Sequence, residues 1–233
     1  MRGIVPIVLT SAAAIALASA AFSEERSYAF DDFQRIDAAM GVEVKVTTGT
    51  GYAVEAEALR GELDRLVIRQ KGDRLIIKRK KPLGLIGALR SDLFVVTVSL
   101  PQLTAAEASS GASISVTGDG TADLVIDASS GSNVKIRGIS EGSVDVDASS
   151  GAHVSLAGHC GSITADASSG AHVQAGDLIC RMGQFDASSG ASVRGHVTGA
   201  VSADVSSGAS VKVQGGADIA KKSLSSGGSL QVI

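Results

Sequence analysis

Six acidic side chains recur four positions before a glycine: Glu107, Asp127, Asp147, Asp166, Asp186 and Asp204, with Ser223 in the last copy. Rows of carboxylates offer the hard oxygen ligands that Ca²⁺ takes, so Asp127, Asp147, Asp166, Asp186 and Asp204 are candidate cation ligands. The spacing is not the Gly-Gly-x-Gly-x-Asp of calcium β-rolls. Solvated carboxylates stacked about 4.8 Å apart repel by only roughly 0.9 kcal/mol in water, so such a row also stands without metal. Two positions after the same glycines come Ser113, Asn133, His153, His172, Ser192, Ser210 and Ser229. His153 and His172 are two of the ligands a zinc site needs, but no third is apparent, and the plainer reading is two solvated histidines. Cys160 and Cys180 each lie ten residues before a repeat glycine. Stacked on consecutive coils, their Cα atoms fall within reach of a disulfide, and an exported protein meets an oxidising compartment. The expectation is a Cys160–Cys180 bridge, with two free stacked thiols as the alternative.

One device must position all of these residues. The glycines are Gly111, Gly131, Gly151, Gly170, Gly190, Gly208 and Gly227, spaced by 20, 20, 19, 20, 18 and 19 residues, and each closes an Ala/Val-Ser-Ser-Gly or closely similar run. Periodicity of this kind is the mark of a solenoid. Strand residues alternate between faces. In the third copy Val144, Val146, Ala148, Ser150, Ala152, Val154 and Leu156 fall on one side, and Asp145, Asp147, Ser149, His153 and Ser155 on the other. The apolar set is assigned to the interior. A coil of about 20 residues buries too few aliphatic groups to offset the entropy of ordering its own backbone. Stacking supplies the missing burial and pairs the strand edges. The reading is therefore all-β: a right-handed parallel β-helix with coils of about 18–20 residues. Small Ala and Ser are expected inside a tight corner, with glycine providing the positive φ that the corner needs.

The section before the repeats is also extended but less regular. Val42, Val44 and Val46 alternate with charged residues, and Tyr52 to Ala56 repeats the pattern beyond a Gly49-Thr50-Gly51 turn. Leu59 to Leu66 allows a helical turn. Leu66 to Arg69 and Leu75 to Lys78 flank a Lys71-Gly72-Asp73 break, and Phe94 to Val98 closes the section. These strands are expected to form first, irregular coils or a cap. Between the last two lies a basic run, Lys78, Arg79, Lys80 and Lys81, followed by an apolar loop containing Leu85 and Ile86 and ending at Arg90. Charge beside insertable side chains suits an anionic surface such as membrane or lipopolysaccharide; the plainer reading is a solvated strand end and a loop packed over the core.

Arg2, the apolar stretch Ile4 to Leu17 and Ala18-Ser19-Ala20 have the order of a secretory signal at residues 1–20. The remainder, residues 24–233, reads as one solenoid domain: irregular strands over 24–100 and seven repeats over 101–233. With Arg2 removed, 20 basic and 24 acidic side chains leave a net charge of −4, which argues against nucleic acid as a partner. The absence of Trp and the scarcity of Tyr and Phe weaken ring-stacking recognition of sugars but not recognition through hydroxyl and carboxylate groups.

Phe33-Gln34-Arg35-Ile36, Leu75-Ile76-Ile77, Val96 to Leu103 and the Ser-Gly repeats, in this order, resemble the head GIN domain family of exported bacterial proteins over roughly Phe30 to Ile233. The resemblance implies a pectin-lyase-like β-helix and an adhesive role, and it brings no catalytic residues. No translocating barrel is read in the chain. The functional expectation is an exported, non-catalytic binding or adhesion protein of the periplasm or cell surface, without a cofactor, whose partner is an envelope protein or glycan. A structural scaffold forming homo-oligomers is the competing reading, and a polysaccharide lyase or hydrolase a third.

Overall fold

The computed structural model describes residues 24–80, 92–119 and 123–233. Each repeat lays one strand on each of two parallel ladders, as its two alternating stretches require. The first ladder runs through β8 (Ala105–Ser109), β10 (Leu124–Ala128) and β12 (Ser143–Ala148), then the C-terminal halves of β13 (His153–Ala167), β14 (His172–Ala187) and β15 (Ser192–Val205), and ends at β17 (Asp218–Leu224). The second runs through β9 (Ser113–Gly118), β11 (Asn133–Ile139), the N-terminal halves of β13, β14 and β15, then β16 (Ser210–Gln214) and β18 (Ser229–Val232). Like residues therefore stack on like, and the chain is a parallel β-solenoid.

The corner between the ladders is a tight two-residue turn. Ser150 and Gly151 both have positive φ, 52° and 71°, and the Ala152 N–H donates to the Ser149 carbonyl at 3.1 Å. This is the type I′ pattern, which needs two left-handed residues in succession. Its neighbours stitch it in place: the Gly151 N–H donates to the Ser169 carbonyl of the next coil at 3.1 Å, and the Ser149 N–H to Ala128 of the previous one at 2.9 Å. The same bonding recurs at the corners of Gly131, Gly170, Gly190 and Gly208. One expectation fails here. Ser150 was placed inside with Ala148 and Ala152, but it is exposed, because two left-handed residues interrupt the alternation that the flanking strands obey. The remaining interior assignments hold: Val144, Val146, Ala148, Ala152, Val154 and Leu156 are all buried.

The N-terminal section contains a corner that its sequence conceals. β2 (Arg35–Ala39) and β3 (Glu43–Thr48) flank Met40 and Gly41, whose φ values of 65° and 74° match those of the serine-glycine corners. β2 stacks in parallel on β8 and β3 on β9, so this coil lies directly beneath the first serine-rich one. Between β3 and β8 the chain leaves the stack to build the other end. β4 (Ala53–Arg60) pairs antiparallel with both β1 (Glu24–Tyr28) and β7 (Leu93–Leu100), and a 3₁₀ turn at Leu63–Arg65 leads into the antiparallel hairpin of β5 (Leu66–Lys71) and β6 (Arg74–Arg79). β6 and β7 then stack on β2 and β3. Val42 to Val46 and Tyr52 to Ala56, successive in sequence, are thus separated in space by β7.

Phe33 and Phe94 are buried in the N-terminal section, and over the serine-glycine repeats the core is a set of aliphatic columns with one aromatic inserted. Phe185 is fully buried between Ala165 and Ala203 in its column. Gly183 and Gly195 make room for it: a Cβ on Gly195 would lie 2.5 Å from the Phe185 ring, and one on Gly183 2.9 Å from it.

Candidate functional site

Strand register places the carboxylates in one outward column on the first ladder. Glu107, Asp127, Asp147, Asp166, Asp186 and Asp204 are successive register partners, and Ser223 follows. The column also extends to Asp37, the partner of Glu107. Sequence reasoning missed Asp37 because residues 49–104 intervene between its coil and the next, and its corner carries Met40 where the other copies carry serine. Glu107 is neutralised by Arg35 at 3.0 Å and Arg74 at 2.7 Å. Towards Asp204 the column carries no such pairing among the described residues.

The electrostatic consequence follows from spacing. Burial first, and then the charges of Asp147, Glu107 and Asp37, hold the Asp127 carboxyl above its ordinary range. Asp166 is raised by burial and then by Asp186, Asp147 and Asp145, and Asp37 by burial and then by Glu107. Beside the column runs an open groove of about 480 Å³ lined by Asp147, Asp166, Asp186, Asp204, Gln184 and Lys221. The Gln184 amide donates to Asp186 at 3.2 Å.

A linear column is poorly shaped for a metal. Ca²⁺ gathers six to eight oxygens at about 2.3–2.6 Å, whereas adjacent strands hold these carboxylates about 4.8 Å apart and side by side. Among the described residues no group of three or more His, Cys, Asp or Glu is arranged to hold a metal ion. His153 and His172 are register neighbours on the second ladder, and their rings stack 4.9 Å apart with planes 2° from parallel. Imidazole lone pairs lie in the ring plane, so two parallel rings do not converge on one ion. Cys160 and Cys180, also register partners, form a disulfide with Cα atoms 4.5 Å apart. Both are buried, beneath a cavity of about 470 Å³ lined in part by Glu141, His159 and Arg181.

The basic run divides between described and undescribed residues. Lys78 and Arg79 end β6 and are half-buried; Arg79 donates to the Asp92 carbonyl at 3.2 Å. The Lys80 N–H donates to the Arg65 carbonyl at 2.7 Å, and Arg65 pairs with Asp92 at 2.9 Å. The start of the run is therefore anchored to the cap. Lys81, Leu85 and Ile86 lie outside the described residues, as does the signal-like segment at 1–20. No helix of the described residues is long and apolar enough to cross a membrane.

A family model described as "Putative auto-transporter adhesin, head GIN domain" matches residues 32–217. Among curated proteins none matches the sequence. Solved structures share the fold at low identity. A protein from Bacteroides fragilis described as a "putative adhesin" superposes with a TM-score of 0.79 at 17% identity, over 91% of this chain and 98% of its own. A "putative lipid binding protein" from Parabacteroides distasonis gives 0.67 at 14%, over 92% and 98%. A "putative adhesin" from Parabacteroides merdae gives 0.60 at 12%, over 92% and 97%.

Proposed function

We propose, from the premise that the chain belongs to the head GIN domain family, that it is an exported binding protein of the bacterial envelope. Its outward columns, rather than a catalytic centre, are its working surface. Family membership carries this reading, because the family is described by adhesion. The groove beside Asp147, Asp166, Asp186 and Asp204 supports it: it is open, and its carboxylates, serines and Gln184 suit a ligand rich in hydroxyl groups. An envelope glycan is therefore the favoured partner over a protein. The charged, apolar and small-residue order of residues 1–20 supports export, and the Cys160–Cys180 disulfide suits an oxidising compartment, periplasmic or external.

The test is a binding screen of the purified chain against arrayed envelope glycans and proteins. Saturable binding is expected. It should weaken at least about tenfold in the triple variant Asp166→Asn, Asp186→Asn, Asp204→Asn, because several charge-assisted hydrogen bonds are lost together. Binding indifferent to that variant would overturn the assignment of the groove, and cleavage of the bound glycan would overturn the non-catalytic reading.

A further inference from the structure

The two outward faces that meet at the serine-glycine corner carry opposite charge. On the second ladder the residues four past the corner glycine form one column: Lys135, Ser155, Gln174, Arg194 and Lys212 are successive register partners. The neighbouring column contains Asn133, His153, His172, Ser192 and Ser210. From β11 to β18 the outward positions of this ladder hold Lys135, Arg137, Arg194, Lys212 and the two stacked histidines, against a single carboxylate among the described residues, Asp177, which follows Arg137 and Ala157 in register. The first ladder over the same coils holds Asp127, Asp145, Asp147, Asp166, Asp186 and Asp204, and its last strand, β17, brings Asp218 together with Lys221 and Lys222 at the end of the stack.

The segregation is matched coil by coil. Asp127 shares its coil with Lys135, Asp147 with His153, Asp166 with His172, Asp186 with Arg194, and Asp204 with Lys212. Five consecutive coils thus present at least one carboxylate on one face and at least one basic side chain on the other, at the coil rise of about 4.8 Å; Asp145 adds to the acidic face, Arg137 to the basic one, and Asp177 is the one carboxylate on the basic face among the described residues. Two copies laid side by side with parallel axes and no axial shift bring each carboxylate of one opposite the basic group of the same coil in the other. The acidic column is self-repelling, and from Asp127 onward no ion pair is formed on it among the described residues, with Lys221 the one cation lining its groove, so an opposing basic face relieves it along its length.

We propose that this chain associates laterally with a second copy of itself, the carboxylate face of one against the lysine-arginine-histidine face of the next. The contact is heterologous, each copy offering a different face to each neighbour, and it therefore extends to an open row or closes to a ring rather than stopping at an isologous dimer. The partner is assigned by charge complementarity: the surface that fits the basic face in both sign and repeat is on the same molecule. The contact does not rest on the adhesion reading, since it involves no foreign ligand.

Sedimentation and light scattering of the purified chain test it. In about 20 mM salt the mean mass should rise with concentration above the 23.4 kDa of one chain, and in about 0.5 M salt it should return to the monomer, as screening of exposed pairs requires. The variant Lys135→Glu, Arg194→Glu, Lys212→Glu should lose association at least about tenfold. So should Asp127→Lys, Asp186→Lys, Asp204→Lys. Mixing the two should restore a complex, because the first retains the acidic face and the second the basic one. Should the lysine variant fail to fold, the milder Asp127→Asn, Asp186→Asn, Asp204→Asn replaces it in the loss and the mixing arms. A wild-type chain that stays monomeric in low salt overturns the proposal, including one that binds a polyanion through the basic face. Association unaffected by the variants, or not restored on mixing, also overturns it.

Discussion

Replacing Phe185 with alanine should be among the most damaging single changes to the solenoid, and its damage should be partly repairable from a named position. Phe185 is fully buried, and its column neighbours Ala165 and Ala203 are too short to reach into its place. Gly183 and Gly195, which accommodate the ring, contribute no side chain to refill it. Truncation in such a site costs about 3–5 kcal/mol, because transfer and cavity terms add. For a domain of this length that lowers the melting temperature by roughly 6–20 °C. Gly195→Ala alone should also destabilise, by about 1–3 kcal/mol, since its Cβ would lie 2.5 Å from the ring. In the Phe185→Ala background the same methyl enters vacant space and should become neutral or stabilising. Thermal denaturation of the wild type, the two single variants and the double variant measures the coupling. An unchanged cost for Gly195→Ala in both backgrounds would refute this account of the packing.

At the corner, Gly151→Val should cost more than Ser155→Val. Nothing lies within 4 Å of a Cβ on Gly151, so its penalty is the left-handed backbone at φ 71°, about 1–2 kcal/mol, whereas Ser155 is an exposed strand residue; equal melting temperatures would contradict this. Asp166→Asn should stabilise the fold at neutral pH by a few tenths of a kcal/mol, the scale of exposed charge effects, read as a small rise in melting temperature. The folded protein holds the Asp166 proton more tightly than the unfolded chain does, so the wild-type penalty is full where the group is ionised in both states and fades as pH falls through the raised folded value. The advantage of asparagine should shrink on acidification, and a growing advantage would reverse the sign of the argument. Reduction of Cys160–Cys180, which are 20 residues apart, should cost about 3 kcal/mol by loop entropy; thiol titration of the unreduced, unfolded chain should find none free, and two per chain would contradict the bridge.

The repeat was readable because each copy reports the same alternation independently. Parity assigned Val144, Val146, Ala148, Val154 and Leu156 to the interior, where all are buried. Counting from the corner glycine also brought Cys160 to Cys180 and His153 to His172 as register neighbours. Where a residue leaves strand geometry, parity misleads, as at Ser150. The Met40–Gly41 corner and Asp37 were hidden for another reason. Backbone conformation is shared across the corners but the serine is not, and an excursion through β4 to β7 separates that coil from the rest. Charge segregation escaped notice because it belongs to two faces together: Lys135, Arg194 and Lys212 look scattered along the chain and form a matched column only when set against Asp127, Asp186 and Asp204.

The central functional claim is that the outward columns bind without transforming what they hold. Its most direct measurement is the fate of a glycan identified in the binding screen, held at saturation on the chain and then recovered and weighed by mass spectrometry. The account predicts a glycan released unchanged, with occupancy lost when Asp166, Asp186 and Asp204 are neutralised. New reducing ends or unsaturated products, formed in proportion to the chain and abolished by the same substitutions, would contradict it and make the carboxylate groove an active site.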